Sequence, residues 1–389
     1  MKHQLVDAQS GLEQLCRRVA CAARVGLDTE FHNERSYVAR LMVVQLAFEE
    51  DVVIVDPLRL PELRPLVEAL GKTLVVGHAL TSDLKIFADR FGAAPDRVFD
   101  TQIAAAFCGY GLSVSLADLV HDIAGVRLKK SQTVSDWSAR PLSSKQTEYL
   151  TDDVAHLLEL HDKLTKRLEE SGRLHWALEE CRLLGQLERY QVDLRKMYLR
   201  IPGATRMNRR ELGVLRELVA LREATARRRD VPLKYVLPDD VVAGLVALRP
   251  QRVEDLAQLR RLDAGARKSL GQDILAAVRL GESIAEEELP VRPTRPLGNQ
   301  RDGLVAVMNV LIGEIARANG LPATLLVPRA SLERVARELP ESFEGMQAML
   351  ELEPWRTQLV AEPLWRLLSG ESSLRIEGRQ SGDPRISFS

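Results

Sequence analysis

Strand signals in this chain stop early, and that most limits how it can fold. The runs Val25-Gly26-Leu27-Asp28-Thr29-Glu30-Phe31, Val38 to Phe48 and Val52 to Asp56 are rich in Val, Leu, Ile and Phe; Thr73 to Val76 adds a short fourth. Glu49-Glu50-Asp51 joins the second to the third as a hairpin-type connection, and helical patterns follow over Pro61 to Leu70 and Ser82 to Phe91. Strands first, then strand alternating with helix, predict an α/β domain built on a mixed sheet. From about Ser143 onward the pattern is helical, with Leu150, Val154, Leu157, Leu158 and Leu164 at helix spacing. At 389 residues the chain has room for two or three such units.

The helical part repeats itself. Pro232, Pro238 and Pro250 recur as Pro322, Pro328 and Pro340, Val242 and Leu245 as Leu332 and Val335, and Leu215, Leu218 and Leu221 as Val305, Met308 and Leu311, always 90 residues on. A period this long suits two small all-helical domains in tandem rather than a solenoid. Ile201-Pro202-Gly203, within 199–205, reads as the hinge after the α/β domain, and the prolines of 289–296 force an extended linker. The expected division is 1–204 with a helical extension, 205–288, a linker at 289–299, 300–370, and a polar, mobile tail at 371–389.

Composition excludes several classes. Hydrophobic residues at 45% and charged residues at 28% rule out a collagen-like or mostly disordered chain. No run approaches the roughly 18 to 20 apolar residues of a membrane helix, and the N-terminus shows no secretory pattern, so a cytoplasmic protein with no membrane partner is expected. Cys16, Cys21, Cys108 and Cys181 lack zinc-site spacing and read as buried free thiols. Lys plus Arg number 54 against 55 acidic residues, and this balance alone gives no hint of a polyanionic partner.

Carboxylates carry the chemical signal. Side chains alternate across a strand, so Asp28 and Glu30 share one face about 7 Å apart. Either a divalent cation sits between them, or they lie on an exposed edge with surface ion pairs. Asp83 falls in the first turn of the helix after the strand ending near His78, where it serves as a ligand or simply suits the helix N-terminus. Tyr149 and Asp153 are four apart on one helix face. With Leu150, Val154, Leu157 and Leu158 buried, Asp153 lies roughly 85° from the stripe's centre, while Asp152 points away into solvent.

Asp28, Glu30, Asp83, Tyr149 and Asp153, in this order, resemble the DEDD exonuclease superfamily in its tyrosine-containing subclass; Glu148 stands where the histidine subclass carries its His. HALTSDLKIF (78–87), DTQIAAAFC (100–108) and DWSARPLSSKQTEYLTDD (136–153) are similar to the ribonuclease D family, and the tandem helical modules resemble its two HRDC domains. The resemblance covers about residues 20 to 370. It implies a ribonuclease H-like α/β exonuclease domain, with a mixed sheet flanked by helices, followed by two all-α HRDC domains. It also implies 3′→5′ removal of 5′-mononucleotides from tRNA precursors and other structured RNAs by a monomer with no nucleotide cofactor. Two Mg²⁺ or Mn²⁺ ions are implied, with Asp28 shared, Glu30 and Asp153 on the nucleophile side, Asp83 on the other, and Tyr149 orienting the water. The carboxylates leave a DNA exonuclease or a non-catalytic nucleic-acid binder open as alternatives. A helicase is disfavoured, because Gly71-Lys72-Thr73 has Leu66 where a phosphate loop needs glycine.

For RNA contact the candidates are Arg127, Lys129, Lys130 and Arg140, with Lys145, around the active-site helix, and Arg227, Arg228 and Arg229 at the end of the basic 206–229 segment. That segment reads equally as a solvated helix face with local ion pairs. Trp137 and Phe31 could stack on bases or fill the core, and His32, His78 and His156 read as packing residues.

Overall fold

A computed structural model of the chain describes residues 2–128, 136–191, 193–292, 298–377 and 385–388. Its N-terminal part is a six-stranded sheet made of β1 (Lys2–Val6), β2 (Arg24–His32), β3 (Arg40–Ala47), β4 (Asp51–Val55), β5 (Leu74–Gly77) and β6 (Val98–Asp100), in the order β1-β4-β3-β2-β5-β6. β2, β3 and β4 are antiparallel, whereas β1 joins β4, β5 joins β2 and β6 joins β5 in parallel, which makes the expected mixed sheet. β1 and β6 were not expected from the sequence. β1 is an edge strand whose first four residues are exposed, and β6 has three residues, so neither shows an alternating apolar run.

Alternation sorts the strand residues onto two faces. Leu27, Val44, Leu46, Val53 and Val55 pack against Leu12, Leu15, Leu66, Leu70, Leu84 and Phe87 of α1 (Gln9–Cys21), α2 (Arg64–Leu70) and α3 (Thr81–Phe91). On the other face lie α4 (Thr101–Phe107), α5 (Leu116–Ala124), α6 (Ser144–Ala155), α7 (Leu157–Glu170) and α8 (Leu174–Leu184). Val43, Ala47, Val52, Ile54 and Val76 meet Leu150, Val154 and Leu157 there. Gly26 permits this approach, since a Cβ at that position would stand 2.9 Å from the Ala47 Cβ and 3.4 Å from the Leu157 side chain. A capping box of Ser143 and Gln146 starts α6, and the helical pattern is divided at His156, which lies between α6 and α7.

The 90-residue register is structural. α9 (Arg209–Arg229), α10 (Leu233–Val236), α11 (Asp239–Leu248) and α12 (Ala264–Ser283) correspond to α13 (Asn299–Ala318), α14 (Ala323–Leu326), α15 (Arg329–Glu338) and α17 (Pro354–Leu368). Each pair starts 90 residues apart. The 3-10 turn Val253–Gln258 stands where α16 (Phe343–Leu350) stands in the second unit, again with the same offset. Both modules bury equivalent apolar stripes, Leu215, Leu218, Val242 and Leu245 in one and Val305, Met308, Leu332 and Val335 in the other.

Both modules also dock on the first domain. Trp355 of α17 is 1% exposed, stacks on Trp176 of α8 at 5.2 Å and meets Phe107 of α4 at 5.1 Å, while Arg356 and Glu180 form an ion pair at 2.7 Å beside them. In the first module, Asp230 accepts from the Tyr37 amide at 3.1 Å, and the Tyr37 hydroxyl donates to Glu223.

Two expectations change. The segment read as a hinge holds short turns whose Tyr198, Ile201 and Ala204 are buried against the first module. In the tail, β7 (Leu374–Glu377) and β8 (Arg385–Phe388) pair antiparallel, with Leu374 opposite Phe388 and Ile376 opposite Ile386. This apolar ladder is too short and too widely separated in sequence to stand out among polar residues.

Candidate active site

The site begins with strand alternation. Leu27 and Thr29 of β2 face α3, so Asp28 and Glu30 face α6. β5 pairs with β2 only over Arg24–Gly26, so residues 28–30 extend past its end. A register shift between Glu30 and Phe31 bends the strand there. From α6, Asp153 completes a group of three with Asp28 and Glu30, whose carboxylate oxygens all lie within 4.8 Å of one another.

Asp83 belongs to the same electrostatic neighbourhood but is held differently. It is 6% exposed and accepts a hydrogen bond from the Thr29 hydroxyl at 2.5 Å. The structure therefore gathers Asp28, Glu30 and Asp153 directly and holds Asp83 beside them through Thr29, the residue between the first two. Tyr149 stands one helical turn before Asp153 on α6, close enough that the two groups bear on each other's protonation.

Every carboxyl of the site is raised. Burial is the largest cause throughout. Glu30 is pushed up to about 8, helped by Asp153 and Asp83, Asp153 to about 7 and Asp83 to about 6. Asp28 is raised well above the ordinary range by burial, then by Asp83, Asp153 and Glu30. Two unit charges 4.8 Å apart repel by roughly 3 kcal/mol at an effective dielectric near 20. Among the described residues no basic side chain is a leading influence on these four groups. An all-oxygen anionic donor set of this kind fits a hard divalent cation such as Mg²⁺ or Mn²⁺.

A buried aspartate that the sequence marked only as part of a motif holds the frame. Asp100, 2% exposed, accepts from the amides of Ala79 (3.1 Å), Leu80 (2.8 Å), Gln102 (2.8 Å) and Ile103 (3.3 Å). It thereby pins the turn that delivers Asp83, in which Ala79 has φ +58°, and caps α4 as well. Asp100→Ala leaves several buried amides without an acceptor. It is expected to lower unfolding stability by about 3 kcal/mol, read as a lower urea midpoint, because each orphaned group costs about 1–3 kcal/mol; an unchanged midpoint would remove this role. His78 contacts Thr101 Oγ1 at 2.9 Å and the Val114 carbonyl at 3.0 Å, in keeping with its reading as a packing residue.

The candidate RNA contacts divide. Arg140 is not available: its guanidinium donates to Asp56 at 2.6 and 2.8 Å and to the Trp137, Ala139 and Met42 carbonyls. Sequence gave no sign that Asp56 would be its buried partner. Lys129 and Lys130 lie outside the described residues. Arg127, Arg228 and Arg229 are exposed, and Arg227 is exposed but bonded to the Tyr37 hydroxyl at 3.3 Å. Arg222 is buried against Asp239 rather than solvated, and Arg209 and Arg210 pair with Glu286 at 3.2 Å. Trp137 is buried with its ring 5.8 Å from Tyr149, so it backs the tyrosine, and Phe31 is partly buried in the core. Asp152 is half-buried rather than fully solvated, and of the four cysteines only Cys181 is buried.

Similarity to known proteins follows the same division of the chain. A 3′-5′ exonuclease family model matches residues 3–169 and an HRDC domain model matches 211–278. Ribonuclease D of Acidiphilium cryptum is 34% identical over 383 residues, covering 97% of this chain and 95% of that protein. Ribonuclease D of Escherichia coli is 31% identical over 384 residues, covering 95% and 99%. The crystal structure of Escherichia coli RNase D, titled an exoribonuclease involved in structured RNA processing, matches with a TM-score of 0.84 at 30% identity over 95% of this chain and 99% of that one. The catalytic core of RRP6 from Trypanosoma brucei shares the fold at a TM-score of 0.57 and 23% identity, covering 72% of this chain and 80% of that one. No described helix is long and apolar enough to cross a membrane. With sequence and fold agreeing over nearly the whole length, helical region included, the chain belongs to the ribonuclease D family of 3′-5′ exoribonucleases.

Proposed function

We propose that Asp28, Glu30, Asp83 and Asp153 hold two Mg²⁺ or Mn²⁺ ions and that the protein uses them to release 5′-mononucleotides from RNA 3′ ends. The observation that carries this reading is the approach of three half-buried carboxylates, one oxygen from each within 4.8 Å of the others. Bound divalent cations supply a water of lowered pKa and neutralise charge on the phosphate. In this reading Asp28 would serve both ions, with Glu30 and Asp153 holding the one that supplies the attacking water and Asp83 supporting the other. Tyr149 acts as an orienting hydroxyl, as in the tyrosine subclass. Burial and the Asp153 and Glu30 charges hold its phenol above the ordinary range, so it keeps its proton at neutral pH.

The second helical module is a second HRDC domain in this reading, supported by helix starts that repeat at 90 residues. The division is 1–204, 205–288, a linker at 289–299, and 300–370. Arg127, Arg227, Arg228 and Arg229 meet RNA phosphates. By resemblance the substrates are tRNA precursors and other structured RNAs, and the protein works as a cytoplasmic monomer. Digestion of a 5′-labelled RNA carrying a 3′ extension tests the reading. Wild type should shorten the label stepwise with Mg²⁺ or Mn²⁺, and Tyr149→Phe should lower kcat roughly 10- to 100-fold with KM changed less than about threefold. Wild-type turnover by Tyr149→Phe across pH would remove the orienting role.

A further inference from the structure

Gln45 breaks the pattern of its own strand. In RLMVVQLA (β3) it sits between Val44 and Leu46, is 0% exposed, and neither its Oε1 nor its Nε2 has a hydrogen-bond partner. Among the described residues it is the one buried side chain with both ends of an amide unpaired. A buried group left unpaired costs about 1–3 kcal/mol, so an apolar residue would be expected here unless the amide has work elsewhere.

Its place in the sheet supplies that work. Gln45 stands directly opposite Asp28 in the antiparallel pair, so both side chains leave the same face, with Cβ atoms typically about 5 Å apart in such pairs. Its other cross-strand neighbour is Ile54, its same-face neighbours along β3 are Val43 and Ala47, and the helices covering this face contribute Leu150, Val154 and Leu157. The polar groups within strand reach are thus the carboxylates of Asp28 and, diagonally, Glu30.

We propose that Gln45 is a positioning residue whose carboxamide N–H donates to the Asp28 carboxylate when that carboxylate binds cation. The inference rests on the reading of Asp28 as a ligand. A carboxylate offers about four lone-pair directions; those turned toward the protein need a donor, and such partners fix a ligand's orientation. A neutral amide fills this role without neutralising the anion. A Lys or Arg at the same position would compete with the cation, and a Leu would leave the lone pairs bare.

Mn²⁺ binding to the RNA-free, full-length protein, followed by the electron paramagnetic resonance of free Mn²⁺, separates this role from simple packing. Gln45→Met is expected to weaken Mn²⁺ binding roughly 10-fold or more, while the urea midpoint of the cation-free protein stays the same or rises because an orphaned amide is gone. Mn²⁺ affinity within about twofold of wild type would overturn the proposal. Asp28→Ala is measured alongside: if it binds Mn²⁺ as wild type does, the assignment of Asp28 itself fails, a result distinct from an unaffected Gln45→Met beside a defective Asp28→Ala. Should Gln45→Met not fold, a crystal structure of the wild type soaked in Mn²⁺ decides the matter. Nε2 within about 3.2 Å of an Asp28 carboxylate oxygen supports the role, and a separation beyond about 4 Å overturns it.

Discussion

Asp28→Ala is expected to reduce mononucleotide release by at least about 10⁴-fold while changing RNA affinity by less than about threefold. Removing a group that acts as part of a unit costs nearly as much as removing the unit. Asp28 lies in the middle of the cluster: the charges of Asp83, Asp153 and Glu30 all bear on it. Its loss therefore removes the proposed shared ligand, whereas the phosphate contacts proposed to set affinity belong to exposed arginines elsewhere. Asp153→Ala should behave the same way, because it takes one corner from the group of three carboxylates. Single-turnover rates at saturating enzyme, measured beside RNA affinity, check both; retained cation-dependent release by either purified variant is incompatible with the proposed roles.

The cation-free protein is expected to lose stability as pH rises from 5 to about 8, and divalent cations to restore it. Carboxyls of the unfolded chain give up their protons near pH 4. In the folded protein Asp83 keeps its proton to about 6, Asp153 to about 7 and Glu30 to about 8. Between those limits the native state binds more protons than the unfolded one, so stability is greatest at the acidic end and falls until about pH 8. Cations compete for the same oxygens and cancel the same repulsion. Mn²⁺ at about 100 times its Kd should raise the thermal midpoint by roughly 5 to 10 °C at pH 8 and by much less at pH 5. Differential scanning calorimetry with and without EDTA reads both effects, and a midpoint indifferent to pH and to Mn²⁺ would be evidence against a cation site.

Those expectations come from residues that local patterns exposed. Asp28 and Glu30 stand out because two acids interrupt an apolar strand on one face, Asp83 because a strand-to-helix junction places it, and Asp153 because helical angle separates it from Asp152. The paired modules show through prolines that cap α10, α11, α14 and α15 at a constant offset. What stayed hidden depends on partners distant in sequence. Asp56 takes Arg140 out of the RNA-contact set across 84 positions, and Asp100 reaches back about 20 residues to hold the turn before Asp83. Gln45 looks like an ordinary lapse in a strand until the register sets it opposite Asp28. The near-zero net charge has a local component as well, since Glu286 sits against Arg209 and Arg210 rather than merely offsetting them at a distance.

Anomalous diffraction from crystals soaked in Mn²⁺ tests the central claim most directly. Peaks bounded by the Asp28, Glu30 and Asp153 carboxylates are expected in the wild type, and their loss in Asp28→Ala. A wild-type map without a peak at that cluster, or peaks there that survive Asp28→Ala unchanged, would contradict it.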